Sequence, residues 1–528
     1  MYKIGIDVGG TNTDAVILDH QLNLIHSVKV PTTDDIQTGI AGALNKVLAE
    51  SAVDPTKVTH AMLGTTQCTN AIVERKKLAK VGVLRLGYPA TASVLPYTAW
   101  PKDLVATLSE TYALAHGGYE YDGQPLTALD EEELRGILAS WRGEVEAIAV
   151  IGVFSSLKND QELFVQALAK EVLGADVPVS CSSMIGSVGL IERENATILN
   201  AALHKVIKVT SEGFEQALEQ EKIHHAQVYL CQNDGTLMSL TYAKQFPILT
   251  IACGPTNSIR GASYLAGLKD AVVLDVGGTT SDIGVLVDGF PRESSLAVDV
   301  GGVRTNFRMP DIVSIGVGGG SLVREQPDGS VTVGPDSVGY RITQEALVFG
   351  GTQLTTTDIA VRLGHAQVGD PSKVAHLDQT FAEKVYQKIG ELVSEAIDRM
   401  KTSSADVTVV LVGGGSIIIP EELTGVKALI RNENGAVANA IGASIAQISG
   451  QYEQIYVYSK IQRDAALADA QEKAVQQAEL AGAVPGTIEL VEVEETPLAY
   501  HPENATRLRG LATFLAMGSV FKYRRVTN

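Results

Sequence analysis

One stretch of this sequence occurs twice. IGIDVGGTNTDAVIL runs from Ile4 to Leu18, and VVLDVGGTTSDIGVL runs from Val272 to Leu286. Laid over one another without a gap, Asp7 falls on Asp275, Gly9-Gly10-Thr11 on Gly277-Gly278-Thr279, and Asp14 on Asp282. Each copy reads as an apolar strand, an aspartate, a Gly-Gly-Thr turn and a second apolar strand, which predicts a β-hairpin. More than a domain's length of other sequence separates the copies. The chain is therefore expected to build two similar lobes, each with its own hairpin.

The residue types in the repeat suit a polyphosphate. Glycine allows a sharp turn and lets backbone N–H groups approach an anion closely. Threonine hydroxyls add donors. An aspartate at the end of a strand suits the water shell of Mg²⁺, which prefers oxygen ligands and keeps several waters. Gly9, Gly10, Thr11, Asn12 and Thr13 in one copy, and Gly277, Gly278, Thr279 and Thr280 in the other, are the candidate phosphate residues. Asp7 and Asp275 are the candidate metal aspartates, with turn capping as the alternative. Asp14 and Asp282 either position water or the terminal phosphate or stabilise their own hairpins. A third cluster, VVLVGGGS at Val409–Ser416, follows both hairpins. Its Gly413, Gly414 and Gly415 would let a flat adenine and ribose lie against bare backbone.

At 528 residues the chain exceeds a single core. A formal net charge of -19 disfavours nucleic acid and anionic membrane as partners. No Cys-x-x-Cys pair occurs among Cys68, Cys181, Cys231 and Cys253, so free thiols are expected. There is no apolar run of about 18 residues, so a cytoplasmic protein is expected. Alternating strand and helix signals predict an α/β architecture. Helices are expected at Glu192–Lys208, Ala436–Ile448 and Arg463–Leu480, and late strands at Thr487–Pro497 and Thr513–Val520. Strands at Val228–Cys231, Val272–Asp275 and Val407–Val412 are assigned to the second lobe.

Thr65, Thr66 and Asn70 follow a strand and are expected either to line the cleft or to cap a helix. Gly316–Ser321 has four glycines in six residues, which suggests close backbone approach to a ligand. Cys68 has no neighbouring His or carboxylate in the sequence to activate it as a nucleophile. His60 and His365 are expected to be structural.

The order of hairpin, crossover, hairpin, glycine loop and small-residue helix resembles the actin, sugar kinase and Hsp70 ATPase superfamily. That resemblance implies a two-lobed, duplicated ribonuclease H-like α/β fold with ATP and Mg²⁺ in the interdomain cleft. Glu192–Lys208 and Ala436–Ile448 are suggested as its connecting helices. The lobes would span 1–195 and 196–436, with 437–528 returning to the first.

Further segments narrow the resemblance. HAMLGTTQCTNAIVERK (His60–Lys76), IERENATILNAAL (Ile191–Leu203), IACGPTNSIRGA (Ile251–Ala262) and DIVSIGVGGGSLVRE (Asp311–Glu325) are similar to the hydantoinase A/5-oxoprolinase family. The family has an aromatic residue where Asn12 stands. The resemblance implies an ATP-dependent hydrolase subunit that phosphorylates a cyclic amide, such as a hydantoin, oxoproline or lactam. A separate hydrolytic subunit and an oligomeric assembly are expected with it. The alternatives are an ATPase that remodels a partner protein and a small-molecule kinase.

Overall fold

The computed structural model describes residues 1–33, 35–186, 188–294, 298–307, 309–498 and 505–514. Both copies of the repeat form the expected hairpins. Tyr2–Val8 pairs antiparallel with Asn12–Asp19, and Asp7 lies opposite Asp14. Ala271–Val276 pairs with Ser281–Val287 in the same way, and Asp275 lies opposite Asp282. The two turns close identically: Gly9 N donates to Asn12 O at 3.0 Å and Gly277 N to Thr280 O at 2.9 Å.

Each hairpin is the centre of a sheet with the same order. In the first, Leu24–Pro31 extends the hairpin antiparallel, while Val58–Thr65 and then Gln227–Cys231 add in parallel on the other side. In the second, Ile312–Ile315 extends the hairpin, and Val407–Val412 and Val426–Arg431 add in parallel. Two sheets with three antiparallel strands followed by two parallel ones constitute the duplicated ribonuclease H-like fold. Separate buried clusters lie under them, one around Ile4, Ile6 and Leu63 and one around Leu274, Ile283 and Leu411.

Two features of the sequence reading change. Gln227–Cys231 joins the first sheet, not the second, so the expected boundary at 195/196 leaves a first-sheet strand on the wrong side. The periodic segment at Glu192–Lys208 is part of a 31-residue helix, Leu190–Gln220, which packs against Ile36–Ser51 beside the first sheet. It therefore does not connect the lobes. The helix Cys253–Ala266 does, since Leu237–Ser239 before it belongs to the first sheet and Ala271–Val276 after it to the second. The return passage is Ala438–Ile445, which lies on Tyr2–Val8 because Gly5 offers no side chain: a Cβ there would be 2.3 Å from Ala440 O.

The two connecting helices cross at glycine. A Cβ on Gly261 would sit 1.8 Å from Ala438 O, and one on Gly442 1.9 Å from Asn257 O. Beyond the crossing, Ser449–Val457, Ala505–Phe514 and Ile488–Pro497 form a small sheet. The expected helix Arg463–Leu480 forms and covers it, burying Ala466, Ala470, Ala474 and Ala478 at helical spacing. The strand expected at Thr513–Val520 starts earlier, and residues 515–520 lie outside the described residues.

A four-stranded parallel sheet is inserted into the first lobe, ordered Thr111–His116, Val81–Tyr88, Ala147–Gly152 and Val179–Cys181. Arg85 in its second strand is fully buried and makes a bidentate pair with Glu194 at 2.6 Å on both contacts. The pair ties the insertion to the long helix. Glu194→Ala would strand the Arg85 charge in the interior and is expected to cost about 3–5 kcal/mol in denaturant unfolding. A loss under about 1 kcal/mol would contradict that role.

Candidate functional site

The two hairpin tips meet. A Cβ on Gly278 would lie 3.2 Å from Thr11 Oγ1, so the turn of one lobe faces the turn of the other. Thr32 braces the first turn, its Oγ1 donating to Gly9 O at 2.8 Å and lying 3.2 Å from Thr13 Oγ1. The second turn is held by the glycine-rich run: Gly319 N donates to Gly277 O at 3.0 Å and Gly320 N to Gly278 O at 2.7 Å. A Cβ on Gly318 would be 2.7 Å from Thr279 N. Close backbone approach is thus what Gly316–Ser321 achieves, but toward the second hairpin, where the sequence suggested a ligand. Thr279 and Thr280 stay exposed at the tip, as does Gly10.

Behind the tips stand four aspartates, in two cross-strand pairs. Like charges directly opposite one another destabilise a sheet, so each pair calls for compensation by its surroundings. Asp7 and Asp14 are buried, while Asp275 and Asp282 keep a face open. Asn439 Nδ2 donates to Asp7 Oδ2 at 2.9 Å and Asn257 Nδ2 to Oδ1 at 3.4 Å. Ser258 Oγ donates to Asp275 Oδ2 at 2.5 Å, and Ser314 Oγ donates to Asp282. Each metal-candidate aspartate also needs a glycine beside it. A Cβ on Gly64 or Gly413 would lie 2.3 Å from Asp7 Oδ1 or Asp275 Oδ1 respectively.

Burial, with repulsion from Asp14 and Asp275, pushes the Asp7 carboxyl up to about 7. Burial raises Asp14, against the pull of Lys29. Burial raises Asp275 and lifts Asp282 to about 6, against the hydrogen bonds they accept from Ser258 and Ser314. Between 3.8, the ordinary value, and about 7, the folded protein holds a proton on Asp7 that the unfolded chain has released. Folding stability from this group therefore falls as pH rises through that window, by on the order of 1 kcal/mol per unit. Ligand-free protein is expected to melt lower at pH 8 than at pH 6, and Asp7→Asn is expected to shrink the difference. An unchanged difference in that variant would contradict the assignment.

The remaining sequence candidates cluster around these groups. Thr65 is buried, and its Oγ1 accepts from Gln67 N at 3.2 Å; Thr66 Oγ1 donates to Val8 O at 3.2 Å and accepts from Asn70 Nδ2 at 3.3 Å. Thr65 thus holds the first residue of the helix Gln67–Glu74, and Thr66 ties the start of that helix to the hairpin. The loop Gly413–Gly415 returns to the second hairpin, with Gly415 N donating to Val276 O at 2.7 Å. Cys68 is buried and its thiol is pushed up to about 12, which removes it as a nucleophile; all four cysteines are free. His60 stacks on Tyr229 and His365 on Tyr386, away from the cleft chemistry. Sequence reading missed Lys29, Thr32, Gly64, Asn257, Ser258 and Asn439. Only the small polar spacing in GPTNSIRGA hinted at any of them.

The donor set fits Mg²⁺ bound through water. Carboxylates raised by burial, and at Asp7, Asp275 and Asp282 also by a neighbouring aspartate, are relieved by a cation beside them. Among the described residues, no three His, Cys, Asp or Glu side chains are placed to cage a metal directly. Mg²⁺ commonly keeps its waters and takes one or two carboxylates with substrate phosphates.

Comparison with known proteins agrees with this architecture. Residues 3–173 match the hydantoinase/oxoprolinase N-terminal region, and residues 193–370 match hydantoinase/oxoprolinase. Caprolactamase subunit alpha of Pseudomonas jessenii is 26% identical over 425 residues, covering 75% of this chain and 60% of the relative. The acetophenone carboxylase gamma subunit of Aromatoleum aromaticum is 26% identical over 441 residues, covering 75% and 58%. The chain thus spans about 60% of the length of these curated relatives. The crystal structure of ATP-dependent caprolactamase from Pseudomonas jessenii superposes with TM-score 0.77 at 20% identity, covering 97% of this chain and 87% of that one. Nucleotide-free acetone carboxylase gives TM-score 0.69 at 18% identity, covering 98% and 88%. The fold is therefore that of these two enzymes. With both family regions matched in order across the two lobes, the chain belongs to the hydantoinase/oxoprolinase family.

Proposed function

We propose that this chain is the ATP-using subunit of a cyclic-amide hydrolase, phosphorylating a hydantoin, oxoproline or lactam for ring opening by a separate subunit. The observation that carries the proposal is the pair of facing hairpins, each backed by two opposed aspartates. Asp7 and Asp275 hold the waters of Mg²⁺, which supplies charge neutralisation to the phosphates when bound. Gly9 and Gly277 use their N–H groups to close the turns, so phosphate contact falls to Gly10, Thr11, Asn12, Gly278, Thr279 and Thr280, while Thr13, expected among them, is fully buried and supports the turn through Thr32. Thr65 and Thr66 fix the first hairpin, and Gly413, Gly414 and Gly415 take the adenosine side. Asp14 and Asp282 orient the terminal phosphate and the attacking group.

An amide resists water because resonance weakens its carbonyl as an electrophile. In the proposed step the amide oxygen attacks the γ-phosphorus, the bond to the β–γ bridging oxygen breaks, and ADP leaves. The former carbonyl oxygen now carries phosphate as a leaving group. The amide N–H gives up its proton as this imidate phosphate forms. At the partner subunit one water adds to its carbon and the C–N bond breaks, opening the ring to an amine and an acyl phosphate, and a second water then releases phosphate from the carboxylate. This chain contributes positioning and charge compensation. Two relatives are an alpha and a gamma subunit, which supports a multi-subunit assembly. No helix among the described residues is long and apolar enough to cross a membrane.

ADP release is the measurement, with hydantoins, lactams and oxoproline, with and without a candidate hydrolytic chain. At least one combination is expected to stimulate release. No stimulation in any combination would reject the cyclic-amide reading. A stable phosphorylated product would indicate a kinase, and nucleotide-controlled capture of a protein without small-molecule stimulation would indicate a remodelling ATPase.

A further inference from the structure

We infer that Lys29 is a polyphosphate-binding residue of the cleft, held by Asp14 until a nucleotide triphosphate arrives. The inference rests on the ATP reading above. Lys29 lies on the third strand of the first sheet, directly opposite Asp14 in the register. Its Nζ is 2.5 Å from Asp14 Oδ1, and a third of its side chain remains exposed while Asp14 is buried. A surface lysine would stop at its partner, but this one also reaches the other lobe. A Cβ on Gly414, in the glycine loop of the second lobe, would lie 3.9 Å from Lys29 Cε.

Lys29 therefore stands between Asp14 of the first hairpin and the loop proposed for adenosine. A polyphosphate running from that loop to the hairpin tips passes the ammonium. Lysine suits the role because its flexible stem and compact charge can turn from one anion to another. With the cleft empty, the ammonium compensates Asp14. With Mg²⁺ bound near the aspartates, the cation takes over part of that compensation and Lys29 is free to meet phosphate oxygen.

The test is calorimetric titration of the ligand-free protein with a non-hydrolysable ATP analogue and, separately, with adenosine. Lys29→Met is expected to weaken the analogue by about tenfold or more, as loss of a charged hydrogen bond does. Adenosine affinity is expected to stay within about twofold, and Lys29→Arg to recover most of the loss. A bland role in neutralising Asp14 is separated by a second pair of proteins, Asp14→Asn alone and Asp14→Asn with Lys29→Met. The double variant buries no unpaired carboxylate, so it also guards against simple misfolding. If the analogue binds both proteins equally, Lys29 acts only through Asp14 and the inference is overturned. A wild-type protein that binds adenosine and the analogue with Lys29→Met unchanged overturns it while leaving the nucleotide reading standing. A wild-type protein that binds neither ligand overturns both.

Discussion

Asp7→Asn and Asp275→Asn are each expected to lower Mg²⁺-dependent ATP turnover by about a hundredfold or more, the scale of a lost metal contact in phosphoryl transfer. The first of these should also raise the melting temperature of the ligand-free protein at pH 8. Asp7 is buried between amide donors and faces Asp14, so its negative charge burdens the folded state at that pH. Asparagine removes the charge at nearly constant volume. A structural aspartate would give the opposite pattern, with stability falling and turnover following it. Steady-state ADP release and thermal melting on the same protein distinguish the two. Parental turnover in both variants would reject the metal assignment.

Gly261→Ala and Gly442→Ala should be among the most destabilising methyl additions in the chain, at least about 3 kcal/mol each. The new methyl would sit 1.8 Å from Ala438 O or 1.9 Å from Asn257 O. Both obstacles are backbone atoms in helices, so no side chain can swing aside and the helices must separate. Separation would also withdraw Asn257 and Asn439 from Asp7. Gly136→Ala is the control: it lies in the helix Glu131–Ser140, where an added Cβ meets nothing within 4 Å. That change should stabilise by about 0.5–1 kcal/mol. Denaturant midpoints measure all three, and equal shifts for the crossing glycines and Gly136 would contradict the tight crossing.

Local signals were legible in the sequence; long-range ones were not. Both hairpins could be read because turn, flanking strands and aspartates lie within fifteen residues of each other, and turn chemistry is local. The glycine loop at Gly413 could be read for the same reason. Gly64 could not, since its place beside Asp7 depends on parallel pairing across an intervening helix. Lys29 was hidden because a lysine on an amphipathic strand looks like a solvated face. The connecting helix was misassigned for a physical reason too. Leu190–Gln220 carries the long periodic pattern that marks a helix, whereas Cys253–Ala266 is short, begins Cys-Gly-Pro and contains a second glycine. Those glycine and proline residues argue against a helix by propensity, yet Gly261 is what lets it cross its partner.

Two helices in backbone contact, Cys253–Ala266 and Ala438–Ile445, carry the chain between the lobes side by side, and a hairpin that leaves the second sheet, Val298–Val300 with Val303–Thr305, packs back on the long helix of the first lobe. A single strand of chain would let one lobe swivel, slide or tilt against the other. Two adjacent helical links and the docked hairpin oppose all three. The spacing of the aspartates across the cleft is then set by packing outside both sheets, at the crossing of Gly261 and Gly442.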